Sequence, residues 1–296
     1  MSAAGYAPAA PISLMPLRPK DPDTLPKPRA NTAAAGAVRP RDFGYDVVVM
    51  DNWEHFSKAP IVEALLDIQV TFASSVPVSR LEAFHETIRQ AYPVKHERVQ
   101  WLGEIQVQQR AVQQAVSRGP EGFMFRSRDD QRIVQVRQDG FTFNWLKPYR
   151  TWQALRDEAR QHWGHYLDMF HPEAVTRLGL RYINRIQLPL PIEEFRDFVK
   201  TAPDVAVGLP QGLSAFFMRL EIPDDKRGLT AIVTETLEPP VDGGKLLPVI
   251  FDVDVVRSAR FEPLGQAIWE TFELMRDYKN EVFFASMTER ARELFR

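Results

Sequence analysis

At 296 residues, with 44% hydrophobic and 26% charged side chains, the chain can bury a sizeable core as one large domain or two small ones. It has no cysteine, which excludes disulfides, thiolate zinc sites, iron–sulfur clusters and cysteine nucleophiles. The net charge is −2, yet residues 1–45 carry six Lys/Arg against three Asp. That leaves the remainder at −5, a balance that argues against general nucleic-acid binding.

Residues 1–45 contain eight prolines, many alanines and no hydrophobic periodicity, which predicts a disordered tail. A true start of translation nearer Met50 is the alternative reading. No apolar run reaches the length of a membrane-spanning helix, and the N-terminus lacks the apolar segment of a secretory signal. The expectation is a soluble cytoplasmic protein without a membrane partner.

The folded body is predicted from Asp46. Ala64–Phe72 alternates and is rich in β-formers, so it reads as a strand. Ser79 and Glu82 have the spacing of a capping box for a helix with the stripe Leu81, Phe84, Ile88 and Ala91. Strands follow at about 101–112, 123–127, 132–138 and 141–146, with Asp129-Asp130 and Asp139-Gly140 at the tight turns. Trp152, Leu155, Ala159, Trp163, Tyr166 and Phe170 then recur at helical spacing.

The order restarts with a strand over 174–189 and a short helix over 192–200, which Pro191 introduces. Strands at about 215–222, 229–237 and 248–256 precede a closing helix with the stripe Leu264, Ile268, Phe272 and Met275. Phe123–Arg132 also echoes Phe216–Arg227, each holding an Asp-Asp pair before a basic residue. The expected fold is therefore α+β. Two related β-α-β(3-4)-α halves, over 46–171 and 172–296, share a curved antiparallel sheet with the long helices packed on one face. Residues 46–296 are expected to form one folded domain.

Three segments carry a resemblance: Phe56-Ser-Lys-Ala-Pro-Ile-Val-Glu-Ala-Leu65, Arg177-Leu-Gly-Leu-Arg-Tyr-Ile-Asn-Arg185 and Phe283-Phe-Ala-Ser-Met-Thr288. In this order they resemble an uncharacterised, sporadically distributed bacterial family of conserved hypothetical proteins. The resemblance covers about residues 50–296. It implies a bacterial origin and a common fold, and it transfers no catalytic residue.

The candidate chemistry lies on charged strand faces. Arg177, Arg181 and Arg185 share one face of their strand, and with Arg126 and Arg128 they could receive a phosphate or carboxylate. The competing reading is an exposed face whose arginines pair with acids on adjacent strands. Asp252 and Asp254 share one face of Phe251-Asp-Val-Asp-Val255 and could hold Mg²⁺ or Mn²⁺, or could instead pair with the Arg row itself.

His162 and His165 stand three apart on the long helix, but two imidazoles without a third ligand rarely hold an ion. Asp242-Gly-Gly-Lys245 lacks phosphate-loop spacing and reads as a hairpin loop. The expected function is a binding or interaction module for a protein partner or an anionic ligand in a sheet groove, leaning away from catalysis and without a cofactor signature. The alternatives are a metal-assisted enzyme on a phosphorylated substrate or nucleotide, with Mg²⁺ required only there, and RNA binding along the Arg-bearing sheet face.

Overall fold

A computed structural model of the chain describes residues 53–108 and 111–296, with residues 99–120 described by backbone alone. The tail expected over residues 1–45 lies outside the described residues. Among the described residues no helix is long and apolar enough to cross a membrane.

The central strand of the sheet is β1 (Ile61–Thr71), in which Ala64, Leu66, Ile68 and Val70 are buried on one face. Glu63 and Asp67 alternate with them on the other face, as the two-residue period of a strand requires. After the short helices α1 (Val78–Glu82) and α2 (His85–Ile88) comes the long hairpin of β2 (Val94–Gln108) and β3 (Ala111–Arg126). β4 (Arg132–Arg137) and β5 (Gly140–Leu146) complete this half, and α3 (Trp152–Phe170) closes it.

The second half runs β6 (Ala174–Pro189), a 3₁₀ turn at Phe195–Asp197, β7 (Phe217–Asp224), β8 (Leu229–Leu237) and β9 (Leu246–Phe261). It ends with α4 (Ala267–Ser286) and α5 (Glu289–Glu293). Among the described residues, the nine strands join one antiparallel sheet in the order β2-β3-β4-β5-β1-β6-β9-β8-β7. The architecture is α+β.

One sheet face is covered by α3 and α4. The α3 stripe Trp152, Leu155, Ala159, Trp163, Tyr166 and Phe170 is buried throughout, and Ile268, Phe272 and Met275 of α4 have no exposed surface. Thr151 caps α3 by accepting from the Ala154 amide at 3.2 Å, and His171 ends it in the left-handed region at φ 50°. The two helices are joined by Glu273, which accepts from Trp152 Nε1 at 2.8 Å and from Arg156 at 2.6 Å. Phe272 shows what this layer contributes: truncation to alanine would cost about 3–5 kcal/mol.

Several expectations need correction. Pro77 occupies the cap position of α1, so Ser79 already lies in its first turn and no capping box forms. The predicted single helix divides into α1 and α2, and Ala91 is exposed while Tyr92 is buried in its place. The predicted strand over 101–112 divides between β2 and β3, because the chain reverses between Gln108 and Ala111. The predicted helix over 192–200 is only a 3₁₀ turn. Its buried Val199 instead bridges Met287 in extended conformation, which a continuous helix would forbid. Leu264 is 89% exposed and precedes α4, so the closing stripe begins at Ile268.

Candidate functional site

The sheet face away from the helices carries the predicted charges. Arg181 grips Asp252 through two nitrogens, Nε at 2.9 Å from Oδ1 and Nη2 at 2.6 Å from Oδ2. Arg177 reaches Asp67 on β1 at 3.3 Å and Asp254 on β9 at 3.7 Å. Asp67 also accepts from Arg137 at 2.9 Å and from Thr142 at 2.6 Å. Arg185 turns to Glu238 at 2.7 Å.

Arg126 and Arg128 stay at the β3–β4 turn. Arg126 bonds Asp130 at 3.0 Å, and Arg128 donates to the Gln90 carbonyl at 3.1 Å. Burial pushes the Asp254 carboxyl up to about 6, against the pull of Arg177 and Arg181. Acids and arginines thus alternate across β1, β6 and β9 and neutralise one another. Among the described residues no group of three His, Asp or Glu side chains is placed to hold a metal ion. His162 is buried 3.2 Å from the Tyr92 hydroxyl, and its ring centre is 6.2 Å from that of His165.

A cavity of about 430 Å³ opens on the other side of the sheet. Its floor is β6 and α4: Tyr182, Asn184, Arg276 and Asn280 are all buried there. One wall is the β5–α3 loop with Lys147, Tyr149 and Arg150. The opposite wall is the segment before β1, held against the C-terminus. Trp53 stacks on Phe284 at 5.1 Å, Phe56 meets Phe295 at 5.4 Å, and the Ser57 hydroxyl donates to the Arg296 carbonyl at 2.7 Å.

The polar groups inside are specific. The Tyr149 and Tyr182 hydroxyls lie 2.9 Å apart, and burial pushes both phenols upward, Tyr149 to about 12. Asn184 donates to the Phe251 carbonyl at 3.0 Å. The Lys279 nitrogen lies 3.9 Å from the centre of the Tyr182 ring and 2.5 Å from Asn280 Oδ1. Burial, and then the charge of Arg276, push the Lys279 amine down to about 7, while Asp277 pulls it back.

The lining is strongly cationic. Lys58, Lys147, Arg150, Arg276 and Lys279 contribute five basic groups against one carboxylate, Glu54. That carboxylate is engaged by Arg296 at 2.6 Å and is held below its ordinary range. Such a site can receive an anion, with amides and phenols beside it to orient the ligand.

These residues were not singled out from the sequence, although a signal was present. Continuing the stripe Ile268, Phe272, Met275 by four residues reaches Lys279, a lysine at a core-facing position. Tyr182 and Asn184 likewise place polar atoms on the apolar face of β6. The segments 56–65, 177–185 and 283–288 each supply lining residues: Phe56 and Ile61, Tyr182 and Asn184, Phe283 and Phe284. No protein-family model matches the chain, and no curated protein matches it.

Proposed function

We propose that the chain is a binding protein for a small anionic ligand, held in the cavity between β6, α4 and the β5–α3 loop. The observation that carries this reading is the five-to-one excess of basic over acidic lining groups, with the one acid already paired to Arg296. The buried Asn280, whose amide oxygen accepts from Lys279, adds an uncharged amide nitrogen that can orient an anion. The Arg row serves less well, because Arg181, Arg177 and Arg185 each have an acidic partner. In the lining, Arg276 has Glu273 at 4.0 Å, but Lys58, Lys147 and Arg150 form no ion pair among the described residues. Asp252 offers little to a metal, since Arg181 takes both its oxygens.

The resemblance to an uncharacterised bacterial family gains a physical motive here, since all three of its segments meet at this cavity. We also infer that the halves are related. β1 and β6 lie side by side at the sheet centre, and each pairs outward with the last strand of its own half, β5 or β9. A soluble bacterial protein is consistent with this reading.

Calorimetric titration with malonate and with inorganic phosphate tests the function. Lys147 and Arg150 are exposed at the rim, so a Lys147→Glu/Arg150→Glu variant keeps the core intact. It should lose about tenfold or more in affinity, an effect that shrinks as salt rises. Arg185→Ala, on the far sheet face, should bind as the wild type does. The reverse pattern would move the ligand to the Arg row.

A further inference from the structure

Lys279 is an unusual lysine. It occupies the sheet-facing stripe of α4, half-buried where the helix lines the cavity. Its nitrogen hydrogen-bonds an uncharged amide oxygen, Asn280 Oδ1, and sits over the face of Tyr182. Arg276 stands one turn earlier on the same helix and lines the same cavity. A primary amine desolvated beside a second cation is the arrangement by which proteins make lysine nucleophilic at neutral pH. The shift of the amine to about 7 agrees with that geometry, although Asp277 and the Tyr182 ring face favour the charged form.

We propose that Lys279 captures a carbonyl: its amine forms an imine with a small 2-oxo acid whose carboxylate is met by the cationic lining. The inference rests on the anion-binding reading of the cavity given above. A volume of about 430 Å³ lies within the range of small-molecule sites and takes such an acid.

The step balances without an oxidant or reductant. The nitrogen lone pair attacks the carbonyl carbon, a C–N bond forms, and the C=O π electrons move to oxygen, which takes up a proton. The nitrogen then releases a proton, and the carbinolamine loses its oxygen as water. The sum is amine plus carbonyl giving imine plus water. Tyr149 and Tyr182 stay protonated at neutral pH and hydrogen-bond each other, so the pair offers one remaining hydroxyl proton to the departing oxygen.

The test is reductive trapping on the full-length protein. Glyoxylate or pyruvate with cyanoborohydride should label Lys279 on the order of 100-fold faster than surface lysines, read by peptide mass mapping. Excess malonate should slow the labelling. Lys279→Arg should abolish it, with an unchanged circular-dichroism spectrum and a cooperative thermal transition showing that the variant folds.

Label spread over surface lysines, or missing from the Lys279 peptide, overturns the proposal. If malonate binds the wild type and Lys279 is not trapped, only the imine inference falls. If Lys279 is trapped but malonate neither binds nor competes, the anion reading falls and the inference built on it falls too.

Discussion

The side-chain nitrogen of Lys279 stands 3.9 Å from the centre of the Tyr182 ring. This contact joins α4 to β6, the strand of the second half that lies beside β1 at the sheet centre. It places a lysine where the rest of the helix stripe is apolar. The ring face compensates part of the desolvation, by about 0.5–2 kcal/mol, so the lysine is tolerated but not neutral in cost.

Lys279→Met should therefore stabilise the protein near neutral pH, by about 1–3 kcal/mol in urea denaturation. The amine is lowered in the folded state, from an ordinary 10.5 to about 7, so between these values the unfolded chain binds more protons. Wild-type stability then rises with pH across that window, and the methionine advantage should vanish by its upper end. An advantage that persists unchanged at high pH would mean that Lys279 is not desolvated.

Glu235 behaves in the opposite sense. It lies fully buried on the helix-facing side of β8, opposite Phe251 and Met218, and neither carboxyl oxygen has a hydrogen-bond partner. Burial pushes it up to about 7 from an ordinary 4.5. Between these values the folded state holds the extra proton, so stability falls as pH rises from 4.5 through 7. Glu235→Gln should add about 3 kcal/mol at pH 8 and little at pH 4, measured by chemical denaturation at both. Equal effects at the two pH values would contradict a protonated Glu235.

Arg181 and Asp252 should respond unequally to truncation. The Asp252 side chain is 8% exposed and that of Arg181 43%. Arg181→Ala leaves a buried carboxylate unpaired and should cost about 2–4 kcal/mol. Asp252→Ala leaves a guanidinium that water can reach, and should cost about 1–2 kcal/mol. A double-mutant cycle reads both the asymmetry and the coupling.

Thr151→Ala removes the side-chain acceptor for the Ala154 amide at the start of α3 and should cost about 1 kcal/mol. Thr151→Ser should restore most of it. Thermal unfolding of the three proteins checks this.

The long elements were legible because one residue period dominates each. The α3 stripe and the alternation of β1 and β6 survive any choice of partner. The segment around 192–200 was not legible, because its buried Val199 is matched to Met287, almost ninety residues away. The charge pairs show the same limit. Alternation placed Arg181 and Asp252 on strand faces, but their pairing requires β6 beside β9. Arg181 even bypasses Asp254, directly opposite in register, for the diagonal Asp252. The cavity was missed for a related reason. Its walls come from segments near residues 55, 150, 183 and 280, which only the folded sheet brings together.

Crystals soaked in malonate test the cavity most directly. Density bounded by Arg276, Lys279 and the rim residue Lys147, with the Arg181–Asp252 pair undisturbed, is the expected result. Density along the Arg177–Arg185 row with an empty cavity would contradict it.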